Sequence, residues 1–254
     1  MISSQPAIAP ARMFDVTLLN CVRIRATAVA VAAAIFVFAY LPGAGLGFAG
    51  DMTPAASAAS NDPMTVIQTG ISDVLAVFRD TQMPLVQRRA RLRELASHYF
   101  DFQDMARSAL GYHWRDLTPE QRAEFVPLFA DFIQNAYLSK LEDSGVKKIR
   151  EEAKRANIQY TRQSVEGDYA QVFSAVTLEN EKEPLEIDYM LHRNDGQWRI
   201  YDVTVAAISV IGNYRNQFNR VINNEGYDKL VADLKVKTEQ LQEYMDHPPT
   251  PAHQ

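Results

Sequence analysis

The sequence predicts an α+β fold, with helices at both ends of the chain and an antiparallel sheet of about four strands between them. Three observations carry this. Apolar residues recur at helical spacing from Thr65 to about Leu141. From about Ala156 to Val205 the period changes to two, and at Ser209 helical spacing returns. Helices, then strands, then helices is the order of an α+β domain rather than of alternating β–α units.

In the first helical segment, Thr65 to Arg79, the apolar positions are Ile67, Ile71, Val74, Leu75 and Phe78. Val86 to Tyr99 reads as a second helix; its basic face (Arg88, Arg89, Arg91, Arg93) is expected to be solvated. Phe100 to Leu110 reads as a short third helix, stopped by Gly111. Thr118-Pro119-Glu120-Gln121 then supplies an N-cap, a proline at the first helical position and a capping box. The long helix that follows carries the stripe Phe125, Leu128, Phe129, Phe132, Ile133, Ala136 and Tyr137. Pro127 inside it removes one backbone hydrogen bond and predicts a kink.

Strands are expected over 156–165, 169–179, 184–193 and 197–205, with turn signals at Gly167-Asp168 and Asn194-Asp195-Gly196. Leu185, Ile187, Tyr189 and Leu191 should face one side, and Glu186, Asp188 and His192 the other. In the next helix Ile211, Tyr214, Phe218, Val221 and Ile222 form one stripe that ends at Gly226; a last helix carries Leu230, Val231, Leu234 and Leu241. Residues 246–254 are expected to be a disordered tail.

The N-terminus reads as a targeting segment. Residues 26–50 carry no charge, Ala26 to Leu41 is almost purely apolar, and Arg23 and Arg25 precede it. Residues 1–49 therefore read as a secretory signal, with cleavage after Ala49 or, alternatively, after Ala58. An uncleaved anchor is the rival, since the run is long enough to span a bilayer; five glycines and prolines from Pro42 to Gly50 argue against so long a helix. Either reading puts the folded part, residues 64–245, outside the cytoplasm, after a flexible linker over 50–63.

Net charge is −5; without residues 1–49 it is −7, from 23 basic and 30 acidic side chains. That balance excludes a general phosphate-backbone binder. The single cysteine, Cys21, lies in the targeting segment, so the folded part has no disulfide, cysteine zinc site or thiol nucleophile. No nucleophile elbow, zinc-protease helix, phosphate loop or dinucleotide fingerprint is present. His98, His113 and His192 share no metal-ligand spacing; His113, beside Trp114, reads as a buried, hydrogen-bonded structural histidine. Asp101 reads as a helix cap and Asp104 as solvated. No enzyme chemistry, cofactor or metal is expected. The abundant apolar and aromatic stripes fit either a filled core or a cavity, which periodicity cannot separate.

Three ordered segments resemble the MlaC (toluene-tolerance) family of periplasmic phospholipid-carrying proteins. The first runs from Phe100-Asp101-Phe102 through Met105-Ala106-Arg107, Ala109-Leu110-Gly111 and His113-Trp114-Arg115 to Leu117-Thr118, Gln121, Glu124-Phe125 and Phe129. The second is Trp198-Arg199-Ile200-Tyr201-Asp202-Val203. The third is Ser209, Asn213-Tyr214-Arg215, Gln217-Phe218 and the Leu230/Leu234 helix. With their spacing they cover nearly all of residues 64–240. Two features depart from the family pattern. Val205-Ala206-Ala207-Ile208 replaces an acidic-then-glycine stretch, and Pro127 is unusual; both bear on pocket shape or cargo preference.

The resemblance implies helices packed on a curved antiparallel sheet, similar to the NTF2-like fold, with a lipid pocket between the layers. It implies a monomeric carrier of phospholipid, or alternatively of hopanoid, which maintains outer-membrane lipid asymmetry. Its partners would be an inner-membrane ABC transporter with an MCE-domain subunit and an outer-membrane lipoprotein–porin complex. A membrane-anchored interaction module without cargo is a further alternative. On this reading the pocket is lined by Phe125, Phe129, Phe132 and Tyr137 from the long helix, by Tyr189, Tyr201, Val203 and Val205 from the strands, and by Ile208, Ile211 and Tyr214 beyond them. Arg215 would pair with a lipid phosphate or, as a surface or structural ion pair, with Asp202. The enzyme alternative has one candidate pair, Asp202 with His113.

Overall fold

The computed structural model describes residues 62–144, 146–177 and 183–247. The targeting segment, most of the linker and the end of the tail lie outside them. Helices α1 (Pro63–Arg79), α2 (Leu85–Tyr99) and α3 (Phe102–Leu110) come first, followed by a 3₁₀ turn at Gly111–Asp116. Helices α4 (Pro119–Ser144) and α5 (Val146–Arg155) lead into strands β1 (Asn157–Glu166), β2 (Tyr169–Thr177), β3 (Leu185–Asn194), β4 (Gln197–Val205) and β5 (Ile208–Ser209). Helices α6 (Val210–Glu225) and α7 (Tyr227–Asp246) complete the order. The α+β expectation is met, with a fifth, two-residue strand added to the expected four.

Local chemistry explains where the helices begin. Asp62 caps α1 by accepting from the Thr65 N–H at 2.9 Å, and Pro63 takes the first helical position, where no N–H is needed. The same cap ties α1 to the sheet. The Gln163 side chain on β1 donates to Asp62 Oδ1 at 2.6 Å and accepts from the Met64 N–H at 2.9 Å. The hydrogen bonds from Thr65 and Gln163 hold the Asp62 carboxyl below its usual pKa. The capping box of α4 forms as expected, with Thr118 N–H on Gln121 Oε1 at 2.9 Å and Gln121 N–H on Thr118 Oγ1 at 3.2 Å. The helix runs on through Pro127, which leaves the Ala123 carbonyl without its bond from that position.

The basic face of α2 is not the solvated surface its charge suggests. Arg88 is buried, and its guanidinium donates to the carbonyls of Asp80 and Met83 just beyond α1. Arg150 of α5 donates to the Phe78 carbonyl in the last turn of α1. Arg89 donates to the Met245 carbonyl at the end of α7. Cations here satisfy carbonyls that a helix end leaves without intrahelical partners.

The sheet is an antiparallel meander in the order β1-β2-β3-β4-β5, with register shifts at Tyr160/Arg162 and Met190/Leu191. Ile187, Tyr189 and Leu191 of β3 are buried and the alternate residues are not, as the period-two pattern predicts. Helices α1, α2, α3 and α6 pack on the sheet. Asp195 and Gly196, both at positive φ, make the two-residue β3–β4 turn. Ala206 and Ala207 make the β4–β5 turn at φ values of 47° and 64°. This is a left-handed conformation that alanine adopts at a cost.

Candidate functional site

A cavity of about 90 Å³, partly open to solvent, lies between the helices and the sheet. Helix α1 supplies Val66, Ile67, Gly70, Ile71 and Val74; α2 supplies Leu92, Arg93, Leu95, Ala96 and Tyr99. Phe100 leads into Phe102 and Met105 of α3, and α4 adds Ile133, Gln134, Tyr137 and Leu138. Tyr189 of β3 and Ile200 of β4 close the sheet side.

The wall is apolar apart from the tyrosines, Gln134 and one charged side chain, Arg93. Gly70 has a steric reason to be glycine, since a Cβ there would lie 3.1 Å from the Tyr99 ring. Tyr99 is held over it by a 2.6 Å hydrogen bond from its hydroxyl to Asp73 Oδ2. Burial raises the phenols of Tyr99, Tyr137 and Tyr189 well above the usual tyrosine pKa, so all three stay neutral. The cavity therefore offers shape and apolar surface, with no ionised nucleophile among its tyrosines.

Of the pocket residues expected from sequence, Tyr137 and Tyr189 stand on this wall. Phe125, Phe129, Phe132 and Tyr214 belong instead to a packed aromatic cluster with Phe218, where α4 meets α6. Ring centroids there are 5.6–6.4 Å apart, mostly edge to face. Val203 and Ile211 are buried, and Val205 and Ile208 flank the β4–β5 turn half-buried. Tyr201 packs edge-on against Tyr169, whose ring stacks on His192.

The walls from α1 and α2 are what sequence reasoning missed. The available signal was Gly70, a helix-weakening residue on the same stripe as Ile67, Ile71 and Val74.

The polar candidates resolve into structural roles. Asp202 accepts from the Val203 and Ile211 N–H groups and from the Ser209 hydroxyl, while Ser209 caps α6 at the Gly212 N–H. Arg215 does not pair with Asp202; it is exposed and donates to the Ser108 carbonyl at 2.6 Å. His113 is half-buried, 2.9 Å from Asn219 Oδ1, and so lies in a different network from Asp202. Asp104 is not solvated. It is buried, 2.6 Å from His192 Nδ1 and 2.9 Å from Arg107.

Asp101, Asp104 and His192 bring donor atoms within 4.8 Å of one another, a spacing open to a metal ion. Each already has a partner: Asp101 caps α3 at the Asp104 N–H, and Asp104 bridges His192 and Arg107. The trio locks α3 to β3.

Comparison with known proteins identifies the family and the fold. The family described as MlaC protein matches residues 68–236. The intermembrane phospholipid transport system binding protein MlaC of Haemophilus influenzae is 18% identical over 188 residues, covering 72% of this chain and 85% of that protein. A solved structure of a phospholipid-binding protein from Ralstonia solanacearum, in complex with a phospholipid, superposes with a TM-score of 0.58 at 23% identity. It covers 71% of this chain and 99% of that one. That likeness establishes the shared fold, and the family match, which spans more than half of the sequence, places this chain in the MlaC family.

Proposed function

We propose that this protein is a phospholipid carrier, exported to the periplasm, that holds acyl chains in the cavity under α1, α2 and α4 and performs no chemistry. The observation that carries the reading is the apolar cavity itself, between helices and sheet, in a chain of this family. The relatives support it: one is named for intermembrane phospholipid transport and another was solved with a phospholipid bound. In the same reading the protein works as a monomer, moving lipid between an outer-membrane lipoprotein–porin complex and an inner-membrane MCE-type ABC transporter.

Energetics set the mode of transfer. Each buried methylene contributes about 0.8 kcal/mol, so two chains of about 16 carbons gain on the order of 20 kcal/mol relative to water. Release into water is then too slow to matter, and cargo leaves only at a docked partner. The cavity of about 90 Å³ is narrow, so loading widens the gap between α1–α2 and the sheet. Ile71, Tyr99, Tyr137 and Tyr189 contact the acyl chains, while Phe125, Phe129, Phe132 and Tyr214 hold α4 in place behind them.

Native mass spectrometry of protein purified without detergent tests this. One lipid mass per chain, identified as phospholipid by extraction, is the expected result. A bare polypeptide that stays bare after incubation with phospholipid vesicles would sink the carrier reading. A hopanoid in the extract would keep the carrier and change its cargo.

A further inference from the structure

The apolar cavity has one charged side chain on its wall, Arg93, and the same residue lines a second space. This is a polar cleft of about 860 Å³ formed where α2, α4 and α7 meet. Arg93 Nη2 donates to Asn135 Oδ1 at 2.5 Å and to Gln242 Oε1 at 3.3 Å. Both acceptors are neutral amides, so the guanidinium is anchored without being neutralised. A phosphate adds ionic attraction to these bonds and can take two parallel N–H groups of the guanidinium, which one amide oxygen does not.

Beyond Arg93 the cleft changes sign. Asp131 of α4 and Glu239 and Glu243 of α7 line it, and all three are exposed. Asp246, also on its rim, already faces Arg89 at 3.5 Å. The path from the apolar wall outward therefore runs from hydrocarbon contacts, through one cation, to a set of carboxylates. A phospholipid with a cationic head group has that same order: acyl chains, phosphate, ammonium.

Resting on the carrier reading, we infer that this cleft is a head-group subsite selective for zwitterionic phospholipids. Arg93 takes the phosphate, and Asp131, Glu239 and Glu243 face the ammonium. An anionic head group such as glycerol phosphate meets the same arginine but gains nothing from the carboxylates and is repelled by them. The expected selectivity is modest, about two- to ten-fold, since exposed charge pairs are screened.

The test loads the full-length protein from vesicles holding equal amounts of phosphatidylethanolamine and phosphatidylglycerol, then measures the ratio of the two lipids in the recovered protein. Enrichment of phosphatidylethanolamine by about two- to ten-fold is expected. In the Asp131→Asn/Glu239→Gln/Glu243→Gln variant that ratio falls to the vesicle ratio. Arg93→Gln lowers uptake of both phospholipids relative to diacylglycerol, which lacks the phosphate. These positions are exposed or half-buried, and a circular-dichroism melt confirms that each variant is folded. A wild-type ratio equal to that of the vesicles, or a triple-variant ratio unchanged from wild type, overturns the subsite while leaving the carrier standing. Failure of the wild type to take up any lipid overturns both.

Discussion

The Tyr99 hydroxyl, on the last residue of α2, donates to Asp73 on α1 at 2.6 Å, while the Tyr99 ring covers Gly70. One side chain thus pins two cavity walls together and sets their spacing. Tyr99→Phe keeps the ring and removes the bond. It should lower stability by about 1 kcal/mol, read as a reduced urea midpoint with an unchanged slope. An unchanged midpoint would mean that water replaces the bond without loss.

Filling the cavity and damaging the core should separate cleanly. Ile71→Trp adds bulk on the wall and should cut phospholipid uptake about tenfold while the protein stays folded. Phe129→Ala, in the aromatic cluster, should cost about 3–5 kcal/mol of stability. Chemical denaturation and lipid extraction on both proteins decide this. Normal uptake by folded Ile71→Trp would put the acyl chains elsewhere.

The β4–β5 turn holds avoidable strain. Ala206 and Ala207 both sit at positive φ, where a Cβ crowds the backbone. Ala207→Gly should raise stability by about 0.5–1 kcal/mol, the strain relief outweighing the extra freedom of the unfolded chain. A drop in melting temperature would show that the Ala207 methyl makes contacts worth more than its strain.

Alkali should destabilise the fold through its tyrosines. Burial, with Glu124 and Asp228 nearby, pushes Tyr227 up to about 12, and burial raises Tyr137, Tyr160 and Tyr189 further. The unfolded chain releases these protons near pH 10, so it gains ionisation that the folded chain resists. This contribution to stability is complete below pH 10 and declines as pH rises towards 12 and beyond. Urea midpoints across that range, with tyrosinate absorbance as a second readout, should fall together. Tyr227→Phe should flatten part of the decline.

Removing the α1 cap tests the link between helix and sheet. Asp62→Ala loses the Thr65 cap and the Gln163 bond together. The expected cost is about 1–2 kcal/mol. Because the folded-state Asp62 pKa is depressed, the wild-type advantage exists above the unfolded carboxylate value of 3.8 and fades as pH falls below it. Hydrogen exchange should show the first turn of α1 opening faster in the variant at neutral pH.

Much of the fold was legible because local rules agreed with it. The Thr118 capping box, the Asp195-Gly196 turn and the alternation of Ile187, Tyr189 and Leu191 each follow from neighbours in sequence. The site was less legible because its defining feature is a gap. Phe129 and Tyr137 lie two turns apart on one stripe of α4, yet the first is packed against α6 and the second faces the cavity. Which helices press on each turn decides that, and periodicity carries no such information. Arg88 and Arg91 make the same point: both read as basic surface, but only Arg88 meets the carbonyls beyond α1. Helix α5 went unseen because its one buried apolar side chain among those described, Ile149, makes no stripe.

The consecutive strand order has a kinetic consequence. Every ladder joins neighbours in the chain, so the sheet can assemble hairpin by hairpin with short loop closures. The helices over the cavity close differently. Asp62 reaches Gln163 across 101 residues, and Arg89 reaches the Met245 carbonyl across 156. Those closures carry a larger loop-entropy cost than any hairpin, so they are expected to form after the sheet and to open before it. Native-state hydrogen exchange is therefore expected to show α1 and α2 opening at lower free energy than the sheet, and on the carrier proposal that opening is the motion that admits a lipid.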